Sequence, residues 1–108
     1  MSHSGAALAG AAALAGGLLT GLPTVAGAGD TQLGAYLAGE CTTCHRSGPA
    51  REGIPSIFGL SESSFVSAMQ AYRSGERKAA VMRSVAAAFS DREIEALARY
   101  FATVGTQR

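Results

Sequence analysis

Cys41-Thr42-Thr43-Cys44-His45 is the stretch that most restricts what this chain can become. Two thiols lie three residues apart and an imidazole follows at once. In a helical segment, residues three and four apart share a face, so positions 41, 44 and 45 present two sulfurs and one nitrogen to a single object. A flat porphyrin answers that presentation, because its two vinyl groups accept thioether bonds and its iron takes the imidazole. Cys-x-x-Cys-His therefore reads as an attachment site for c-type haem. The Cys-x-x-Cys spacing alone also serves dithiol redox chemistry and half of a zinc site. Against zinc, the chain holds only 2 Cys, and its other His, His3, lies far upstream. Against a thioredoxin-like dithiol, no βαβ pattern accompanies the motif.

Charge divides the chain in two. All 9 Lys and Arg and all 8 Asp and Glu fall from Asp30 onward, and residues 1–29 carry no charged side chain. Residues 6–25 are mostly Ala, Leu and Gly, and Ala26-Gly27-Ala28 has the small-x-small form of a signal peptidase site. Residues 1–28 read as a cleaved signal peptide and residues 29–108 as one periplasmic domain of about 80 residues. The leader is atypical, because Met1 to Gly5 offers only the α-amine and His3 where Lys or Arg is usual. The rival reading is an uncleaved membrane anchor. Residues 5–29 are long enough to span, but they are rich in Gly and Ala and include Pro23. Export and the motif support each other: two thiols in an oxidising compartment ordinarily pair, whereas thioether bonds use up both.

A mature domain of this size, with no Trp and much Ala and Gly, has a thin apolar core. A covalently held haem supplies the apolar body that such a core lacks. The formal charge of +1 gives no footprint for nucleic acid. The expected fold is all-α, with roughly three to five short helices around one haem. Asp30 or Thr31 is placed to cap the first helix, where Leu33, Tyr36, Leu37 and Cys41 form an apolar stripe. A Gly within it, Gly34, can mark a close approach by another element. Residues 46–55 form a loop, and a backbone carbonyl near Pro55 is placed to accept the second ring N–H of His45. Ser61 caps a helix over about 62–74 with Phe65, Met69 and Tyr72 inward, stopped at Ser74-Gly75. Residues 79–89 read as a short helix with a loop around Met82. Ser90-Asp91-Arg92-Glu93 is a capping box for a last helix reaching about Thr103, with Gly105 as its stop.

His45 supplies one axial ligand to the iron. Thioether sulfur is the natural second, and Met with His raises the haem potential. Met69 lies in the apolar stripe of its helix and follows His45 closely, so core packing suits it. Met82 follows a break in the pattern with more chain to reach around the haem, and is the candidate ligand. An open sixth position, as in a gas sensor or a peroxidase-like site, is the alternative. Arg73, Arg77, Lys78 and Arg83 face Glu76 alone over residues 73–83, which suits either docking on an acidic partner or a solvated face.

Taken together, residues 29–108 resemble class I cytochromes c. The carriers are the Cys41–His45 motif, Pro55-Ser56-Ile57-Phe58-Gly59-Leu60 and the last helix with Tyr100-Phe101. Residues 72–82, followed by Ser90-Asp91-Arg92-Glu93-Ile94, are similar to the small haem subunit of flavocytochrome c sulfide dehydrogenases and to cytochromes c-553 and c4. The resemblance implies thioether bonds at Cys41 and Cys44, His45 as proximal and Met82 as distal ligand, and the Pro55 carbonyl as acceptor for His45. It implies crossed terminal helices with Gly34 on Tyr100, and a periplasmic one-electron carrier with no catalytic residues of its own. The partner it implies is a flavoprotein sulfide dehydrogenase subunit; the alternative is a free-standing carrier for another oxidoreductase. Arg46, where the family usually has Gly, and the short loop 46–54 depart from the pattern beside the haem edge.

Overall fold

A computed structural model describes residues 26–105 and the isolated positions 2, 5, 10, 16, 17 and 21. Most of the expected signal peptide, residues 1–28, lies outside the described residues. Among those described, the chain is all-α, as its pattern predicts: α1 Ala26–Leu37, α2 Gly39–Thr42, α3 Glu62–Ser74, α4 Ala80–Ala88 and α5 Asp91–Gly105. The one β feature there is an isolated bridge between Arg51 and Ile54. None of the described helices is long and apolar enough to cross a membrane.

Two helix starts follow their local chemistry. The Ser61 hydroxyl accepts the Ser64 N–H at 3.1 Å and opens α3. At α5 the capping box closes in both directions: Ser90 N–H donates to Glu93 Oε1 at 2.9 Å, and Glu93 N–H to Ser90 Oγ at 3.2 Å. Each such cap contributes about 1 kcal/mol. α3 ends where expected, on Gly75 in the left-handed region at φ 82°.

α1 departs from expectation at its start and on its buried face. It begins at Ala26, ahead of the predicted caps Asp30 and Thr31. Ala26 and Ala28 favour helix while Gly27 and Gly29 oppose it, so it is the packing on α5, where Asp30 is tied down, that supports helix here. Asp30 instead accepts from Arg99 on α5 at 2.9 Å. Tyr36, expected inward, is 83 % exposed, whereas Gly34, Ala38 and Cys41 are buried. The reason is the crossing with α5. A Cβ at Gly34 would stand well inside van der Waals contact of the Ala96 carbonyl and 2.8 Å from Tyr100 Cβ. Only a small-residue stripe lets the two backbones approach this closely, so the larger Tyr36 turns outward.

The core sits between α1, α3 and α5, with Ile94, Leu97 and Phe101 as its largest fully buried side chains. Phe101 takes Phe58 edge-on at 5.2 Å and stacks on Phe65 at 5.7 Å. These contacts bring the loop after the Cys-His motif and α3 to the same side of α5. α5 runs on to include Gly105 instead of stopping before it. Gly105 lies against Gly59, whose N–H donates to the Phe101 carbonyl at 3.1 Å, so its missing side chain serves a close approach.

Candidate functional site

The motif keeps helical geometry past the end of α2. His45 N–H donates to the Cys41 carbonyl at 2.8 Å, a full helical turn, and Cys44 N–H to the same carbonyl at 3.2 Å. Cys41 and His45 are thereby buried on one side while Cys44 stays exposed. The two cysteines form no disulfide with each other.

His45 is 8 % exposed, and its Nδ1 lies 2.8 Å from the Pro55 carbonyl oxygen, the contact expected of Pro55. A carbonyl only accepts, so Nδ1 carries the proton and Nε2 keeps its lone pair for a ligand. A tight turn delivers that carbonyl. Glu52 and Gly53 both have positive φ, 45° and 79°, and Arg51 and Ile54 exchange hydrogen bonds at 3.2 and 2.7 Å. The chain is thus folded back before Pro55.

Cys41, Cys44 and His45 line one cavity of about 220 Å³ together with Met69 and Met82. Its other walls are largely apolar: Ile57 and Leu60 from the loop, Phe65 and Ala68 from α3, and Val81 and Val85 from α4. Its charged side chains are Glu40 and Arg77, and the Arg77 guanidinium lies 4.8 Å from the centre of the Tyr72 ring. Both methionines thus reach the cavity, in different settings. Met69 is 4 % exposed and belongs to the core cluster, whereas Met82 is half-buried at its edge. Met82 does not sit in a loop, as the sequence suggested; it is the third residue of α4. The non-helical break lies earlier, over residues 75–79.

Arg73 also moves from its expected place. Instead of joining a docking face, it donates from Nε to the Ala86 carbonyl at 3.3 Å and from Nη2 to that of Phe89 at 2.6 Å. Its Nη1 pairs with Asp91 at 2.5 Å. Arg77, Lys78 and Arg83 remain exposed. Sequence reasoning missed Glu40 and Arg77 as cavity residues. Neither lies in the Cys-His motif, and nothing in the local pattern aims them inward.

Burial pushes the Cys41 thiol up from 9.0 to about 11, and the neighbouring Glu40 carboxylate adds to the shift. In apoprotein at pH 8 that lowers its thiolate fraction roughly 100-fold relative to an unperturbed thiol. Iodoacetamide should therefore alkylate Cys44 first and Cys41 far more slowly, as peptide mass mapping over time will show. Equal rates would mean that Cys41 is not held as buried here. Because the fold raises this value, the associated stability of the apoprotein is complete below pH 9.0 and is lost as pH rises towards about 11.

No family model matches the chain. It is 40% identical over 73 residues to the thiosulfate dehydrogenase electron acceptor of Stutzerimonas stutzeri (strain A1501), covering 61% of this chain and 33% of that protein. The chain thus spans about a third of that relative's length. It is 35% identical over 83 residues to cytochrome c-554(548) of Halomonas halodenitrificans (strain ATCC 12084 / NCIMB 8669). That match covers 70% of this chain and 98% of the relative. A likeness running through nearly the whole of a small cytochrome, on an all-α fold, decides the family: this chain belongs to the class I monohaem cytochromes c, electron-transfer proteins that carry covalently bound haem c.

Proposed function

We propose that Cys41 and Cys44 bind the haem, that His45 and Met82 are its two axial ligands, and that the chain is the electron acceptor of an exported dehydrogenase of reduced sulfur compounds. The observation that carries the assignment is the single cavity lined by two thiols, one oriented imidazole and a half-buried thioether. Cys41 and Cys44 would hold the group through two thioether bonds. Bound there, haem c supplies a one-electron Fe(III)/Fe(II) couple.

The remaining work falls to the chain. The Pro55 carbonyl keeps the proton at Nδ1 of His45, which holds the ring orientation and the lone pair at Nε2. Ile57, Leu60, Phe65 and Val85 exclude water, which keeps the effective dielectric around the site low. Arg77 is the cation on the cavity wall and would offer a positive partner to the haem carboxylates. Lys78 and Arg83, exposed on the same segment, steer an acidic partner.

Two lines support the sulfur assignment. The relative from Stutzerimonas stutzeri is named as the electron acceptor of thiosulfate dehydrogenase, and residues 72–94 resemble the haem subunit of flavocytochrome c sulfide dehydrogenases. The mature periplasmic chain, cut after Ala28, should keep one haem mass through denaturation. Losing either Cys41 or Cys44 to Ser should remove one of its two covalent links. A colourless chain with both sulfurs free overturns the haem assignment. For the partner, the ferric protein is mixed with sulfide and a flavoprotein sulfide dehydrogenase, or with thiosulfate and a thiosulfate dehydrogenase. Rapid reduction in one mixture supports the reading. Reduction in neither leaves a free-standing carrier for another oxidoreductase.

A further inference from the structure

α4 bears Met82, yet by itself it is a poor platform. It has 9 residues, shorter than helices that persist alone. Its N-cap, Ala79, offers no side-chain hydrogen bond. Among the described helices it packs against α3 alone. What holds its other end is one guanidinium. Arg73, in the last turn of α3, reaches the Ala86 carbonyl at 3.3 Å, the Phe89 carbonyl at 2.6 Å and Asp91 at 2.5 Å.

Ala86 O is among the last carbonyls of α4, which have no partner within the helix. A cation there also complements the helix dipole. Register is the decisive point. Met82 and Ala86 are four residues apart, so they share a face one turn from each other. Ala86 is fully buried, and its carbonyl is tied to Arg73. A slip of one residue would turn the helix by about 100° and swing Met82 away from the cavity.

We infer that Arg73 is the positioning residue that keeps the Met82 thioether at the iron, and so keeps the sixth position closed to other ligands. The inference rests on Met82 being the axial ligand. The two carbonyl contacts do this work. Asp91 is three-quarters exposed and its pairing with Arg73 is solvated, so the ion pair contributes little to it.

The test titrates the ferric holoprotein with imidazole, which competes with a Met ligand, and follows the haem spectrum. Arg73→Gln should bind imidazole about tenfold more tightly than the parent, a shift of the size that losing these hydrogen bonds allows. Arg73→Lys keeps the charge but cannot span three acceptors, so it should fall between the two and stands in if the Gln variant fails to fold. Asp91→Asn should stay within about twofold of the parent. Val66→Ala on α3, a partly buried position outside the cavity, is the control for general loosening. Unchanged imidazole affinity in both Arg73 variants overturns the proposal, as does an equal gain in Val66→Ala, which would make it general loosening. Failure of the Met82 reading is distinguishable, because the parent itself would then take up imidazole as readily as Met82→Ala.

Discussion

Replacing Met82 with Ala should turn a ferrous protein that ignores carbon monoxide into one that binds it rapidly and stoichiometrically. Two strong-field ligands leave the iron no free position, and removing one opens it. Met69→Leu supplies the contrast. Met69 lies at 4 % exposure among Phe65, Leu97 and Phe101, where it already acts as packing. A volume-conserving swap there costs under about 1.5 kcal/mol and should leave the sixth position closed. The weak far-red band of Met–iron ligation in the oxidised protein should vanish in Met82→Ala and persist in Met69→Leu. If the Leu variant opens the site and the Ala variant does not, the two methionines have exchanged roles. A parent that binds carbon monoxide at once points to an open-site haem protein.

Gly34→Ala should be strongly destabilising for a single added methyl group. Within a helix, the change by itself favours Ala by about 1 kcal/mol. Here the new Cβ meets the Ala96 carbonyl, a backbone atom of α5 that no rotamer change can move aside. Overpacking commonly costs about 1–3 kcal/mol and more where nothing yields. The clash wins, with a net loss of about 2 kcal/mol and a fall of about 10 °C in thermal midpoint for a domain this small. Thermal unfolding followed by circular dichroism measures it. Gly39→Ala is the reference, since a Cβ there has open space; it should be neutral or slightly stabilising. Equal midpoints for the two variants would mean that α1 and α5 do not cross this closely.

The chemistry-bearing part of the site was legible because it is local. Cys41, Cys44 and His45 fall within one helical turn, so spacing alone places them together, and the Pro55 carbonyl follows from what a ligating imidazole needs on its second nitrogen. The caps at Ser61 and Ser90 and the stop at Gly75 were readable for the same reason, since each joins groups within a few residues. The start of α1, the face of Tyr36, the helical setting of Met82 and the role of Arg73 were not. Each depends on a neighbour distant in the chain. Tyr36 matches an apolar pattern, but the backbone of α5 at Ala96 occupies the space it would need. Arg73 looks like a surface cation until α4 and α5 bring three oxygens to it.

The amino-acid sequence by itself determined the helical class and the thiol-thiol-imidazole presentation, since both arise from contacts within a turn or two of helix. Only the tertiary structure decided which side of α1 is buried, that Met82 shares a cavity with His45, and which cation is spent inside the fold. Those outcomes are set by backbone approach and carbonyl positions between helices, and no local pattern of side chains encodes them.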